Sequence, residues 1–113
     1  MMIKKADSQL RGQFRGVGIQ IRRDLVRDGL LVVTPIKGSP AYKAGLWAGD
    51  IITRIKREVD SNGKPITDPE QKDLSTKGMP LNRAVKTIMG QPGHEVVLTI
   101  KREGRAEEFD ITI

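Results

Sequence analysis

The sequence predicts one mainly β domain with two helices (α+β), folded as a small, partly open barrel. Apolar segments are short and are separated by turn residues, with 12 Gly and 6 Pro among 113 residues. Only one segment has the apolar spacing of an amphipathic helix, whereas several alternate or form continuous β-favouring runs. This length suits a single domain that buries its own core.

Two neighbouring strands are expected near the start of the domain. Apolar residues alternate with Gly, Gln and Arg at Val17, Ile19 and Ile21, which is the period of a half-buried strand. An Asp-Gly turn signal follows, and the run Leu30–Ile36 after it favours β structure. These segments therefore predict a hairpin.

A short helix and a buried strand are expected next. Ser39 is a good N-cap, Pro40 suits the first helical position, and Gly45 stops the helix after about one turn. The apolar residues of Ile51–Ile55 then predict a short strand.

The second half is predicted to contain a long loop, one longer helix and two strands. Residues 56–79 are rich in turn residues, so we expect an irregular loop with at most a short extended piece near 65–67. Pro80–Met89 carries the helical stripe Leu81, Ala84, Val85 and Ile88. Strands are expected over His94–Arg102 and Glu108–Ile113.

The composition limits the classes of function. With no Cys and one His, a thiolate metal site, a disulfide framework and a His-based triad are excluded, and we expect no metal and no cofactor. No apolar run approaches the roughly 20 residues needed to span a bilayer, so membrane insertion is not expected. The net charge of +6 favours acidic partners.

The candidate binding residues are Gly16, Val17 and Gly18, directly before the first strand. Two glycines around one residue allow successive N–H groups to point into one concavity, which can hold an anion. Because a strand follows, a peptide whose carboxylate lies in this nest could pair with the strand's edge. A bare turn is the alternative interpretation of this motif on its own.

Residues 38–52 read Gly-Ser-Pro-Ala-Tyr-Lys-Ala-Gly-Leu-Trp-Ala-Gly-Asp-Ile-Ile, which resembles the signature of PDZ domains. The resemblance extends from Phe14 to the C-terminus. It implies a PDZ domain over 14–113. Residues 1–13 are polar and unpatterned, so we expect them to be a flexible lead-in, frayed or with a short helix.

The element order is similar to that of the PDZ domains of bacterial carboxyl-terminal processing (tail-specific) serine proteases. The resemblance implies a circularly permuted bacterial strand order in which Phe109–Ile113 lies beside the binding-loop strand. It also implies a periplasmic or cell-envelope parent protein with a Ser/Lys protease domain elsewhere. Trp47 departs from the family pattern, and we expect it to shield an edge of the core; an exposed contact is the alternative.

The resemblance also implies roles for individual residues. The amides of Gly16, Val17 and Gly18 would bind the peptide carboxylate. Independently of the resemblance, the charge of Arg15 makes it a candidate helper cation for that carboxylate, with a solvated side chain as the alternative. The peptide groove would be lined by Ile19, Ile21, Leu81, Val85 and Ile88. Core packing is the alternative for the helix residues, since a small phase error exchanges Val85 for Ala84.

The sequence thus predicts a binding module that captures C-terminal peptides, and not an enzyme. Its partners would be substrate C-termini and the protease domain of the parent chain, and the fragment is expected to be a monomer. The alternatives are a stand-alone PDZ adaptor, or the PDZ domain of another periplasmic protease or secretion protein. A basic β-barrel that binds nucleic acid is a further alternative, which the low aromatic content of 4% disfavours, so no nucleic-acid partner is expected.

Overall fold

A computed structural model describes residues 18–60, 62–89 and 95–113, together with the backbone of residues 2–3. Within these ranges, strands predominate over short helices. In chain order the elements are β1 (Met2–Ile3), β2 (Ile19–Asp24), β3 (Gly29–Pro35), α1 (Pro40–Lys43), β4 (Ile51–Arg57), α2 (Pro69–Lys72), β5 (Asp73–Ser75), α3 (Leu81–Met89), β6 (Val96–Lys101) and β7 (Phe109–Thr112).

The strands form one open antiparallel sheet in the order β1-β2-β3-β4-β6-β7, and β5 adds to β4. The hairpin of β2 and β3 matches the one predicted around the Asp-Gly turn. Asp28 has a φ of +50° there, a conformation that Asp tolerates better than most residues. The predicted mainly β fold class is therefore confirmed.

The core lies between the sheet and the apolar faces of α1 and α3. Alternation along β2 buries Ile19 and Ile21 completely, and both belong to the same cluster as Ala84 and Ile88 of α3. Leu98 and Ile100 of β6 contribute to this cluster as well. The helix periodicity thus identified the face of α3 that packs on the sheet.

The strand predicted to lie beside β2 on its outer edge is wrong. We expected the closing strand to lie beside the binding-loop strand, but β7 pairs with β6, from Val97 opposite Thr112 to Ile100 opposite Phe109. Among the described residues, the outer edge of β2 pairs instead with Met2–Ile3. These two residues belong to the segment 1–13 that is predicted to be a lead-in, and that assignment stays a prediction.

The loop predicted over 56–79 contains regular structure. Asp68 caps α2 by accepting the N–H of Glu70, and Pro69 occupies its first turn. The chain then enters β5, where Leu74 pairs with Ile55 of β4. This segment therefore adds a helix and a strand to the edge of β4, in place of the irregular loop that we expected.

Candidate peptide-binding site

Gly18 forms the end of the predicted nest and leads into β2. Its φ is +82°, in the left-handed region that favours glycine. A Cβ at this position would clash with the Cβ of Ser39. Both the backbone conformation and the close approach of Ser39 therefore require glycine here.

The carbonyl of Gly18 accepts two hydrogen bonds. The backbone N–H of Ile36 donates to it at 2.7 Å, and the Ser39 hydroxyl donates at 3.1 Å. Ser39 also caps α1 by accepting the N–H of Tyr42. The sequence predicted this cap, but it gave no signal for the bond to Gly18, because the two residues meet only in the folded chain.

The main chain of β2 presents its hydrogen-bonding groups to the outer edge at Ile19. Main-chain groups alternate in direction along a strand, and the Gly18 carbonyl points toward the β3 side, where Ile36 donates to it. The N–H and C=O of Ile19 therefore face away from β3. Consistent with this direction, the residue opposite Ile19 on β3 is Pro35, which has no N–H to donate.

The side chains of Ile19 and Ile21 were predicted to line the groove from the strand side. Both are fully buried within the core. Apart from these side chains, β2 presents only its backbone at this edge, where Ile3 pairs with Ile19.

The three residues predicted on the helix side differ in exposure. Ile88 is buried in the core, next to Ala84 and Thr87. Leu81 and Val85 are half-buried and pack against the core from its margin. Of the predicted helix residues, these two keep apolar surface that a ligand could still cover.

Three of the predicted carboxylate-binding residues lie outside the described residues. These are Arg15, Gly16 and Val17. The roles assigned to them remain predictions. The same holds for the predicted strand start at His94 and for the glycine that follows α3.

A buried ion pair between Asp50 and Arg102 stabilises the turn at the end of the PDZ-like signature. Asp50 is 1% exposed, accepts the N–H of Trp47 at 2.9 Å, and binds Arg102 through both carboxylate oxygens. Arg102 also donates to the carbonyl of Gly45 at 2.9 Å. The pair therefore ties the turn after α1 to the end of β6, and it raises the pKa of Arg102 mainly through the hydrogen bond with Asp50.

Trp47 does not shield the core as we expected. Its side chain is 60% exposed, and its ring covers the Arg102 guanidinium at 3.8 Å from the ring centroid. Phe109 stacks on the same guanidinium at 4.8 Å. The Trp ring thus shields an ion pair from solvent at the surface.

Local ion pairs neutralise two arginines at the β2–β3 turn. Arg23 pairs with Asp28, and Arg27 pairs with Asp24. The Gly78 N–H and the Arg23 guanidinium lower the pKa of Asp28, and the Arg27 N–H and guanidinium lower that of Asp24. These arginines therefore stabilise the β2–β3 turn and do not form one continuous basic stripe.

The remaining described features do not coincide with the predicted groove. A cavity of about 250 Å³ is lined by Arg27, Gly49, Ile51, Lys101, Arg102 and Glu103. None of these residues belongs to the predicted groove. Within the described ranges, no cluster of acidic or histidine side chains could hold a metal ion. The helices described here are too short and too polar to cross a membrane.

Comparisons with known proteins identify the relatives of the chain. No protein-family model matched it. It is 34% identical over 110 residues to a probable CtpA-like serine protease of Staphylococcus saprophyticus, and the match covers 97% of this chain and 18% of the relative. It is 38% identical over 102 residues to the carboxy-terminal processing protease CtpA of Bacillus subtilis, with 89% and 18% covered. The chain thus spans about a fifth of the length of these relatives.

Two solved structures share the fold. The PDZ domain of a carboxy-terminal protease from Vibrio cholerae, solved in complex with a peptide, has a TM-score of 0.67 and 24% identity, covering 88% of this chain and 91% of that domain. The photosystem II D1 C-terminal processing protease has a TM-score of 0.63 and 24% identity, covering 98% and 27%. The chain therefore has the fold of a PDZ domain and is homologous to one segment of the CtpA-like carboxy-terminal processing proteases, which confirms the resemblance drawn from its sequence.

Proposed function

We propose that this chain is a peptide-binding PDZ module that captures the free C-terminus of a polypeptide by adding it as a strand to β2. The ligand would run antiparallel to β2, with its carboxylate at the Gly18 end. The observation that carries the proposal is the edge itself. The outward-facing N–H and C=O of Ile19 directly follow a glycine that is fixed in a left-handed conformation.

The nest that would hold the carboxylate is supported by the anchoring of Gly18. The two hydrogen bonds to its carbonyl and the close approach of Ser39 fix the loop where it joins β2. A residue that is already fixed in place loses little conformational entropy when the ligand arrives. The amides of Gly16, Val17 and Gly18 are the proposed carboxylate donors, with Arg15 as the helper cation.

The wall of the groove supports specificity for apolar C-termini. Leu81 and Val85 lie half-buried at the margin of the core and would pack against the terminal side chains of the ligand. Small or apolar terminal residues would therefore bind best. We expect affinities near 1 μM, which corresponds to about −8 kcal/mol.

The similar proteins suggest the setting of this module. Because the relatives are named as carboxy-terminal processing proteases, we propose that the parent protein is a serine protease of the cell envelope. The module would recognise a substrate tail and deliver it to the protease domain, or gate that domain. In this role it would have no catalytic activity of its own.

A pair of peptides that differ only at the terminus tests the proposal. Titration calorimetry would compare a peptide ending in free Val or Ala carboxylate with its C-terminal amide. The free acid is expected to bind at least tenfold more tightly, because only it places a full negative charge in the nest. Equal affinities for the two peptides would refute C-terminus capture.

A further inference from the structure

The edge of β2 that a ligand would need is occupied by the chain's own β1. Met2 lies opposite Gln20, and Ile3 lies opposite Ile19, in antiparallel register. Since β1 runs antiparallel to β2, it travels toward the Gly18 end of the edge. This is the direction proposed above for a bound C-terminus.

The main-chain contacts are also those that a ligand would make. The N–H and C=O of Ile19 face away from β3, and the residue opposite them on that side is Ile3. A residue that occupies this position blocks the hydrogen bonds through which an added strand gains affinity.

One difference separates β1 from a ligand. A ligand ends at the nest and leaves a carboxylate there, whereas β1 continues as an internal segment into residue 4. Its pairing spans only two residues and provides no terminal anion. A free C-terminus can make the same strand pairing and can add the charge, so it has the advantage over β1.

We propose that β1 is a built-in competitor that covers the peptide edge of β2 until a free C-terminus displaces it. This inference rests on the proposed function, since it concerns the regulation of the same edge. Its effect on binding follows from the fraction of molecules whose edge is open, because the apparent dissociation constant equals the intrinsic one divided by that fraction. If the edge is open in roughly one molecule in five, removing the competitor tightens binding about fivefold.

The test compares Ile3→Pro with Ile3→Ala in the full 113-residue chain. Proline removes the N–H that faces Ile19 and so breaks the pairing, whereas alanine retains it and serves as the matched control. Two quantities are measured: the affinity for the free-acid peptide, and the hydrogen-exchange rate of the Ile19 amide without peptide. We expect Ile3→Pro to bind about fivefold more tightly and to exchange the Ile19 amide several-fold faster, with Ile3→Ala close to wild type.

The other outcomes have separate meanings. Faster exchange in Ile3→Pro with unchanged affinity would show that β1 covers the edge without competing, which overturns the inference alone. Unchanged exchange would show that β1 does not protect the edge in solution, which overturns it as well. If neither wild type nor Ile3→Pro binds the peptide, the proposed function itself fails, and the inference falls with it.

Discussion

Gly18 and Ser39 are 21 residues apart in sequence, yet they form one structural unit at the start of β2. Ser39 caps α1, fills the space beside Gly18 and donates to its carbonyl. The Gly-Ser-Pro segment therefore does more than begin a helix. It fixes the residue at which the proposed carboxylate nest joins the strand.

Replacing Gly18 by Ala is expected to destabilise the domain by roughly 2–5 kcal/mol. Left-handed strain contributes about 1–2 kcal/mol, and overpacking against Ser39 contributes about 1–3 kcal/mol. Gly104→Ala is the matched control, because its φ is +89° but nothing lies within 4 Å of the added Cβ, so strain acts alone. Urea unfolding of both variants measures the two losses. Equal losses would contradict the packing role of Ser39.

Like Ser39, Asp50 belongs to the PDZ-like signature and has a structural role, which is to pair with Arg102. We expect Asp50→Asn to lower the free energy of unfolding by about 3–5 kcal/mol, because it leaves the shielded Arg102 guanidinium without its charge partner. Asp73→Asn breaks the exposed pair with Arg54, and should cost about 0–1 kcal/mol. Thermal and urea unfolding compare the two. A small loss for Asp50→Asn would show that hydrogen bonds hold the turn without the charge.

At the scale of elements, the sequence predicted the strands and the helix whose apolar residues repeat at a clear period within the element itself. A buried face is predicted by the alternation in β2, by the continuous apolar run of β3 and by the apolar stripe of α3. By contrast, α2 has four residues and β5 has three, too few for a period to emerge. β5 forms by pairing with β4, a contact that no local pattern encodes. α2 has only the local signal of its Asp68 cap and Pro69, of the same kind as the Ser39-Pro40 start of α1.

In the predicted site, too, the features with a local sequence pattern were predicted, and those that depend on distant contacts were not. Gly18 and the outer edge of β2 follow from the motif and the strand that succeeds it. The assignment of β2's outer neighbour failed, because Met2–Ile3 is too short to be read as a strand and its partner lies 16 or more positions away. Likewise, periodicity placed Ile88 on the correct helix face but could not separate the groove from the core.

The two half-buried residues of α3, Leu81 and Val85, lead to a prediction about binding. Leu81→Ala and Val85→Ala are each expected to weaken binding of the free-acid peptide about tenfold, because they remove apolar groups that the proposed ligand would bury. Lys86→Ala, on an exposed position of the same helix, is the control and should bind normally. Circular dichroism checks that each variant is folded. Normal affinity in both groove variants would place the peptide elsewhere.

Over the whole molecule, a basic chain holds several of its carboxylates in local hydrogen-bonded positions. Asp60 accepts the N–H groups of Lys64 and Asn62, which lower its pKa. Asp110 accepts the Thr99 hydroxyl and binds Lys56, so its pKa is also lowered. Asp24 and Asp28 behave in the same way at the β2–β3 turn. Although the chain carries a net charge of +6, these four acidic side chains therefore stabilise the fold through local hydrogen bonds and ion pairs.

These lowered pKa values determine how stability depends on pH. The unfolded chain binds protons near pH 4, before the folded chain does, so the stabilisation is present above about pH 4 and is lost as the pH falls through the folded values. The melting temperature is expected to be nearly constant from about pH 5 to 8 and to fall steeply below about pH 4. In Asp110→Asn, which cannot titrate at this site, the deficit relative to wild type should be largest at neutral pH and vanish in acid. Calorimetric scans across this range measure both, and a deficit that stays constant with pH would show that the Asp110 charge contributes nothing to stability.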